Sequence, residues 1–234
     1  MEAIEAARAV VEELHADARA AFLGGSVVTE RRTEKSDLDL VVFLHGAPAP
    51  YRSSFRRHGW PVEMFVHTEE TWHAFVDREV PQRRSPLLFM CADGLLLFDA
   101  DGIGERIATA SRKLAAAGPP PVTTQEIEDR RYAITDLLDD LDGSTDPGER
   151  LFICSELAVR TAELALAVNG SWDAGGKWLA RLLDTAVPGL NTQLHNGVRL
   201  ALEGQAENLV GVVDQVLEQA GGRLWAGYRR SGTP

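Results

Sequence analysis

The chain has 234 residues with 44% hydrophobic and 25% charged content, an ordinary balance for a globular protein of one large or two moderate domains. No apolar run approaches the roughly 20 residues of a membrane-spanning helix, and the acidic start Met1-Glu2-Ala3-Ile4-Glu5 lacks the layout of a signal peptide. A formal net charge of −11 disfavours a nucleic-acid partner and suits a small or cationic one.

In chain order, Ile4, Val10, Val11, Leu14 and Ala18 fall at helical spacing, which predicts a helix from residue 2 to about 19. Ala21-Phe22-Leu23 is an apolar run ending in Gly24-Gly25, a buried strand entering a tight turn. Val27 to Glu34 reads as a short helix or loop. Leu38 to Leu44 has the composition of a strand covered on both faces. His45 to Pro50 is a loop, and Pro61 to Val66 is the next strand. A helix follows over Thr68 to Val76. Leu87 to Phe89 and Leu95 to Phe98 are apolar runs parted by the turn signal Asp93-Gly94.

Ile103 to Ala117 reads as an alanine-rich helix, and Gly118-Pro119-Pro120-Pro121 then blocks helix and sheet alike. A boundary there gives domains 1–117 and 118–234. Beyond it the pattern is helical throughout. Thr123 with Glu126 forms a capping box that opens a helix to about Leu141, and Asp146-Pro147 opens another. Leu151 to Val168 is apolar enough to be central, and helices over Gly175–Thr185, Asn191–Leu202 and Ala206–Ala220 complete the chain. Cys91 and Cys154 are far apart without metal-ligand spacing, as expected for buried, reduced thiols in a cytoplasmic protein.

Chemistry concentrates between Gly24 and Glu63. Asp37 and Asp39 alternate at the start of a strand, so they point to one face. Alone they also fit a strand end with two solvated acids. Glu63 lies within the next apolar strand, where a lone charge needs a partner. Three carboxylates from neighbouring strands offer hard oxygen ligands, suited to Mg²⁺ or Mn²⁺. Gly24 and Gly25 let backbone approach phosphate oxygens, and Ser26 adds a hydroxyl donor at the start of any following helix. Lys35, Arg83 and Arg84 are candidates to reach a triphosphate, with surface charge the plainer account of each.

These residues carry a resemblance. Gly24-Gly25-Ser26, Ser36-Asp37-Leu38-Asp39 and Glu63 look like the nucleotidyltransferase superfamily of DNA polymerase beta, and most like its aminoglycoside nucleotidyltransferases of the kanamycin type. The likeness covers the first domain well and the helical half more loosely. It implies an α+β nucleotidyltransferase fold, a small mixed sheet flanked by helices, followed by a helical bundle. It implies that Asp37, Asp39 and Glu63 hold Mg²⁺ (or Mn²⁺), and that the turn Gly24, Gly25, Ser26 takes the phosphates of ATP or another nucleoside triphosphate, with Ser36 and Lys35 as further nucleotide-binding candidates. A nucleoside monophosphate would pass to a hydroxyl of a small polar, aminoglycoside-like acceptor with release of pyrophosphate, in a monomer or homodimer.

The resemblance also places the general base on the helical domain. From Thr124 to Asp142 there are seven acids against two arginines. Asp136 and Asp139 share a helix face, as do Asp136 and Asp140, and like charges at that spacing repel. Asp139 matches the family's base region, whereas Asp136 has the more apolar neighbours. Both stay open. Glu156 is a further candidate, against an ordinary intrahelical pair with Arg160. Two other functions compete: an antitoxin-type adenylyltransferase acting on a partner protein, and a regulatory module that holds nucleotide without chemistry. Asp99-Ala100-Asp101 resembles the start of a calcium loop, but Ile103 and Ala110 occupy positions where that loop needs oxygen ligands.

Overall fold

The computed structural model describes residues 1–232, which divide at Gly118 into two compact units, one mixed and one all-helical. The architecture is α+β followed by a helical C-terminal region.

The first unit is built on one five-stranded mixed sheet in the order β3-β4-β2-β1-β5, from β1 (Ala20–Gly24), β2 (Leu38–Phe43), β3 (Tyr51–Arg57), β4 (Trp60–His67) and β5 (Leu95–Asp99). β2 and β4 run parallel, and the other pairings are antiparallel. Helix α1 (Ala3–Leu14) places Ala3, Ala6, Ala7, Val10 and Val11 on one stripe, all buried with Leu23, Leu38, Leu40, Val42, Val62 and Met64. The alanines let the helix lie close to the sheet. Helices α2 (Glu69–Glu79), α3 (Pro86–Ala92) and α4 (Ile103–Ala117) contact β4, β1 with β2, and β1 with β5 respectively. They bury Trp72, Leu88, Cys91, Ile103 and Ile107.

The structure departs from the sequence pattern, or adds to it, at three places. The first helix ends at Leu14, five residues short, because Ala18 is buried in a turn rather than on the helical stripe. Leu87 to Phe89, an apolar run without an assigned state in the sequence, belongs to helix α3. Ser85 caps α3 by accepting from the Leu88 N–H, and Pro86 sits at its first position. The third is a strand, β3, that the sequence reading passed over between its loop and β4. Its turn with β4 is His58-Gly59, with φ of 51° and 83°, the left-handed pair that a two-residue hairpin turn requires.

The second unit contains α5 (Thr124–Gly143), α6 (Pro147–Val168), α7 (Lys177–Ala186), α8 (Leu190–Leu202) and α9 (Glu207–Gln219). Both anticipated caps are present: Thr123 with Glu126 closes a capping box on α5, and Asp146 accepts from the Gly148 and Glu149 N–H groups on α6. Helix α6 is central, contacting α5, α7, α8 and α9 and burying Cys154, Leu157, Leu164 and Leu166. α8 and α9 meet at Gly197, where a Cβ would come within 3.0 Å of the Leu209 backbone. Among the described residues no helix is long and apolar enough to cross a membrane.

Candidate functional site

The sheet register assembles the site. Paired residues on adjacent strands project to the same face, and one row from β3 to β1 reads Ser54, Glu63, Asp39, Gly24. The next row reads Arg52, Phe65, Val41, Phe22. The first row is acidic and ends in a residue without a side chain. The second continues into the apolar interior, where Phe22 meets Phe43 edge-on at 6.0 Å between ring centres. Asp39 and Glu63, distant in sequence, are therefore side-by-side partners in the parallel pair β2/β4. Asp37, half-buried, lies two residues before Asp39 on the approach to β2.

The two glycines have different physical reasons. At Gly24 a Cβ would lie 2.8 Å from Met90 Cγ and 3.1 Å from Met90 Cβ, so its absence lets α3 pack onto the end of β1. Gly25 has φ +77°, and a Cβ there would lie 2.0 Å from Asp39 Oδ2. The missing side chain thus leaves space that the Asp39 carboxylate occupies.

Ser26 opens a single 3-10 turn, Ser26–Val28, shorter than a helix that would present a full set of N–H groups to an anion. Its hydroxyl is buried, 2.9 Å from Ser36 Oγ, which also accepts from the Thr33 N–H at 3.0 Å. When Ser36 donates in this pair, the Ser26 O–H remains to donate elsewhere. The two serines tie the intervening loop to the turn. Lys35 is exposed in that loop and Arg84 is exposed ahead of α3, whereas Arg83 is buried with φ +61°.

Glu63 is engaged. Arg52 donates to Glu63 Oε1 through Nε at 3.1 Å and through a shorter contact from its terminal nitrogen, and Ser54 Oγ donates to the same oxygen at 3.3 Å. The Arg52 guanidinium lies over the Phe65 ring at 4.8 Å. Arg52 and Ser54 were missed by the sequence reading because their strand was missed. The available signal was the alternation Tyr51, Ser53, Phe55 against Arg52, Ser54, Arg56.

Among the described residues no three His, Cys, Asp or Glu side chains are gathered closely enough to cage a metal ion. The chemistry of the donor set nevertheless fits an open site. Mg²⁺ is usually held by one or two carboxylates, with phosphate oxygens and water completing its shell. Asp37 and Asp39 supply hard oxygens beside a backbone turn stripped of Cβ atoms, and Glu63 Oε2 receives none of the three bonds that hold Oε1.

One histidine of β4, four residues beyond Glu63, is perturbed. Burial pushes His67, at the end of β4, down to about 4, with its ring 5.0 Å from that of Phe75. The other sequence candidates lie in the helical unit. Asp136 is half-buried and Asp139 exposed on α5. Asp139 lines a shallow cavity of about 580 Å³ with Asp140, Gly143, Ser144, Glu149, Phe152 and Ile153. Glu156 makes the intrahelical pair with Arg160, Nε to Oε1 at 2.7 Å.

A second cavity in this unit, about 270 Å³, is lined by Glu126, Asp129, Arg130, Arg160 and Glu163. Arg130 stands 3.5 Å from Glu163, whose carboxyl is raised above its ordinary range by burial and by the nearby Asp173 charge. Tyr228 donates to Asp129 Oδ1 at 2.8 Å, and Tyr132 stacks between Tyr228 and the exposed Trp225. The sequence reading had no means of finding this group, since it joins residues about a hundred positions apart.

No protein-family profile matches the chain, and no curated protein matches it. Among solved structures, a nucleotidyltransferase-like protein from Exiguobacterium sibiricum 255-15 is similar at 13% identity and a TM-score of 0.41, with 93% of this chain and 77% of that one covered. So distant a likeness assigns no chemistry, and the case rests on the residues.

Proposed function

We propose that this protein is a nucleotidyltransferase that moves a nucleoside monophosphate, AMP from ATP, to a hydroxyl of a small, cationic, aminoglycoside-like acceptor. One observation carries the reading: the Asp39 carboxylate fills the space left by the missing Cβ of Gly25, directly beside Glu63 on the adjacent parallel strand. Acid, acid and a bare left-handed turn are what triphosphate handling needs at one point.

In this reading Asp37, Asp39 and Glu63 hold Mg²⁺, which when bound supplies charge neutralisation on the triphosphate. The backbone of the Gly24-Gly25 turn would donate to the phosphates, with Gly25 leaving room for the Asp39 carboxylate beside it and Gly24 leaving room for Met90. Ser26 and Ser36 fix the loop that carries Lys35 toward them. Asp136 or Asp139 takes the proton from the acceptor hydroxyl. An amine-rich acceptor suits the helical unit, which has 17 acidic against 10 basic residues. Such an acceptor would be drawn by the field of that surface as well as by individual pairs.

Pyrophosphate release measured with each nucleoside triphosphate and Mg²⁺, over a panel of aminoglycosides and lincosamides, tests the reading. Acceptor-dependent release that a chelator abolishes is expected. No release with any donor and acceptor, by protein that is folded and binds nucleotide, would replace the reading with a non-catalytic one.

A further inference from the structure

Arg52 is the feature of this site that the proposed reaction does not use. It sits on the edge strand β3, its side chain 61% exposed, and it holds Glu63 by two nitrogens on one oxygen. Glu63 is the inner partner, at 26% side-chain exposure, and Ser54 donates to the same Oε1. The Arg52 guanidinium lies over the Phe65 ring at 4.8 Å, which parks it at one end of the acidic row.

We infer that Arg52 is a handover residue: it neutralises Glu63 while the site is empty of cation and passes to the phosphates when metal and triphosphate load together. This rests on the nucleotidyl-transfer reading. Its physics is local. A divalent cation held by Asp39 and Glu63 would have to compete with the Arg52 guanidinium for Glu63, and like charges repel at short range. The bare protein is therefore a poor metal binder. A triphosphate changes the balance, because its oxygens accept a planar guanidinium as well as a carboxylate does. Release of Oε1 by Arg52 then completes the metal's ligands at the moment the substrate arrives. Edge position and exposure make the movement easy, since no packed core residue has to follow it.

Arg52 is thus a positioning residue, and its test is binding rather than turnover. Mn²⁺ affinity is read from the free-ion paramagnetic resonance signal for wild type, Arg52→Gln and Arg52→Met, the last preserving apolar contact with Phe65. Both variants should bind Mn²⁺ alone at least about tenfold more tightly than wild type, the fold-change expected for removing a nearby unit charge. Both should bind a non-hydrolysable ATP analogue with Mn²⁺ at least about tenfold more weakly. Adding Glu63→Gln should erase the gain in Mn²⁺ affinity. Mn²⁺ affinity unchanged in both variants overturns the inference, and so does undiminished analogue affinity. Wild type that loads Mn²⁺ with the analogue while the variants match it leaves the transferase reading standing and this one refuted. No Mn²⁺ binding in any protein, with or without the analogue, refutes both.

Discussion

Asp39 Oδ2 lies only 2.0 Å from where a Cβ of Gly25 would be, so these two residues, fourteen apart in sequence, occupy complementary space. Gly25→Ala therefore carries two penalties. The backbone at φ +77° and ψ −167° is one essentially reserved for glycine and disfavours alanine by roughly 1–3 kcal/mol, and the new methyl must displace the carboxylate. In Asp39→Ala protein only the backbone part remains. Urea denaturation of the four proteins in this cycle should show Gly25→Ala destabilising the Asp39→Ala background less than wild type. Equal losses in both backgrounds would mean that the pair is not coupled.

Burial of His67 makes stability depend on pH. Its folded value is near 4 and its ordinary one 6.5, so between those values the unfolded chain takes up a proton that the native chain does not. Stability contributed by neutral His67 is full above pH 6.5 and is lost as pH falls toward 4, by up to roughly 3 kcal/mol. Urea midpoints at pH 7.5 and 4.5 should diverge less in His67→Gln than in wild type. Parallel loss in both would contradict this origin.

The C-terminal segment is fastened to α5 at several points, by Tyr228 and Arg230 on Asp129, by the Tyr132 stack, and most locally by Arg131. Arg131 donates to Gly222 O at 2.8 Å and Gly221 O at 2.5 Å, and the Leu224 N–H donates to Thr135 Oγ1 at 3.0 Å. Arg131→Met removes two charge-assisted bonds, each typically about 1.5–3 kcal/mol, though partial exposure reduces their value. Faster proteolysis after residue 222, with a changed Trp225 emission as its stack on Tyr132 loosens, is the expected result. An unaltered cleavage pattern would show that the aromatic stack and the Thr135 and Asp129 contacts hold the segment without Arg131.

How much of this was legible beforehand depended on the range of the interactions involved. The strands β1, β2 and β4 and helix α4 announce themselves through continuous apolar runs and local turn residues. The caps at Thr123 and Asp146 are equally local, and so is the Glu156–Arg160 pair. Strand β3 escaped because its turn uses His58 where Asn or Asp would signal a hairpin, and because arginines alternate along an exposed edge. Helix α3 stayed unassigned because a short apolar run fits strand or helix equally, and Ser85-Pro86 decides between them only as a cap. The candidate residues could be named from local pattern, but their register could not. That Asp39 faces Glu63, and that Glu63 is held by Arg52, follows from strand pairing that no local pattern encodes.

The central claim is that the Asp39 carboxylate serves phosphoryl chemistry, and acceptor-dependent pyrophosphate release by wild type and Asp39→Asn tests it most directly. Asparagine keeps the shape beside Gly25 and removes the charge, so stability should change little. The account expects the rate to fall at least roughly 10²-fold at unchanged thermal midpoint. Equal rates in the two folded proteins would contradict it.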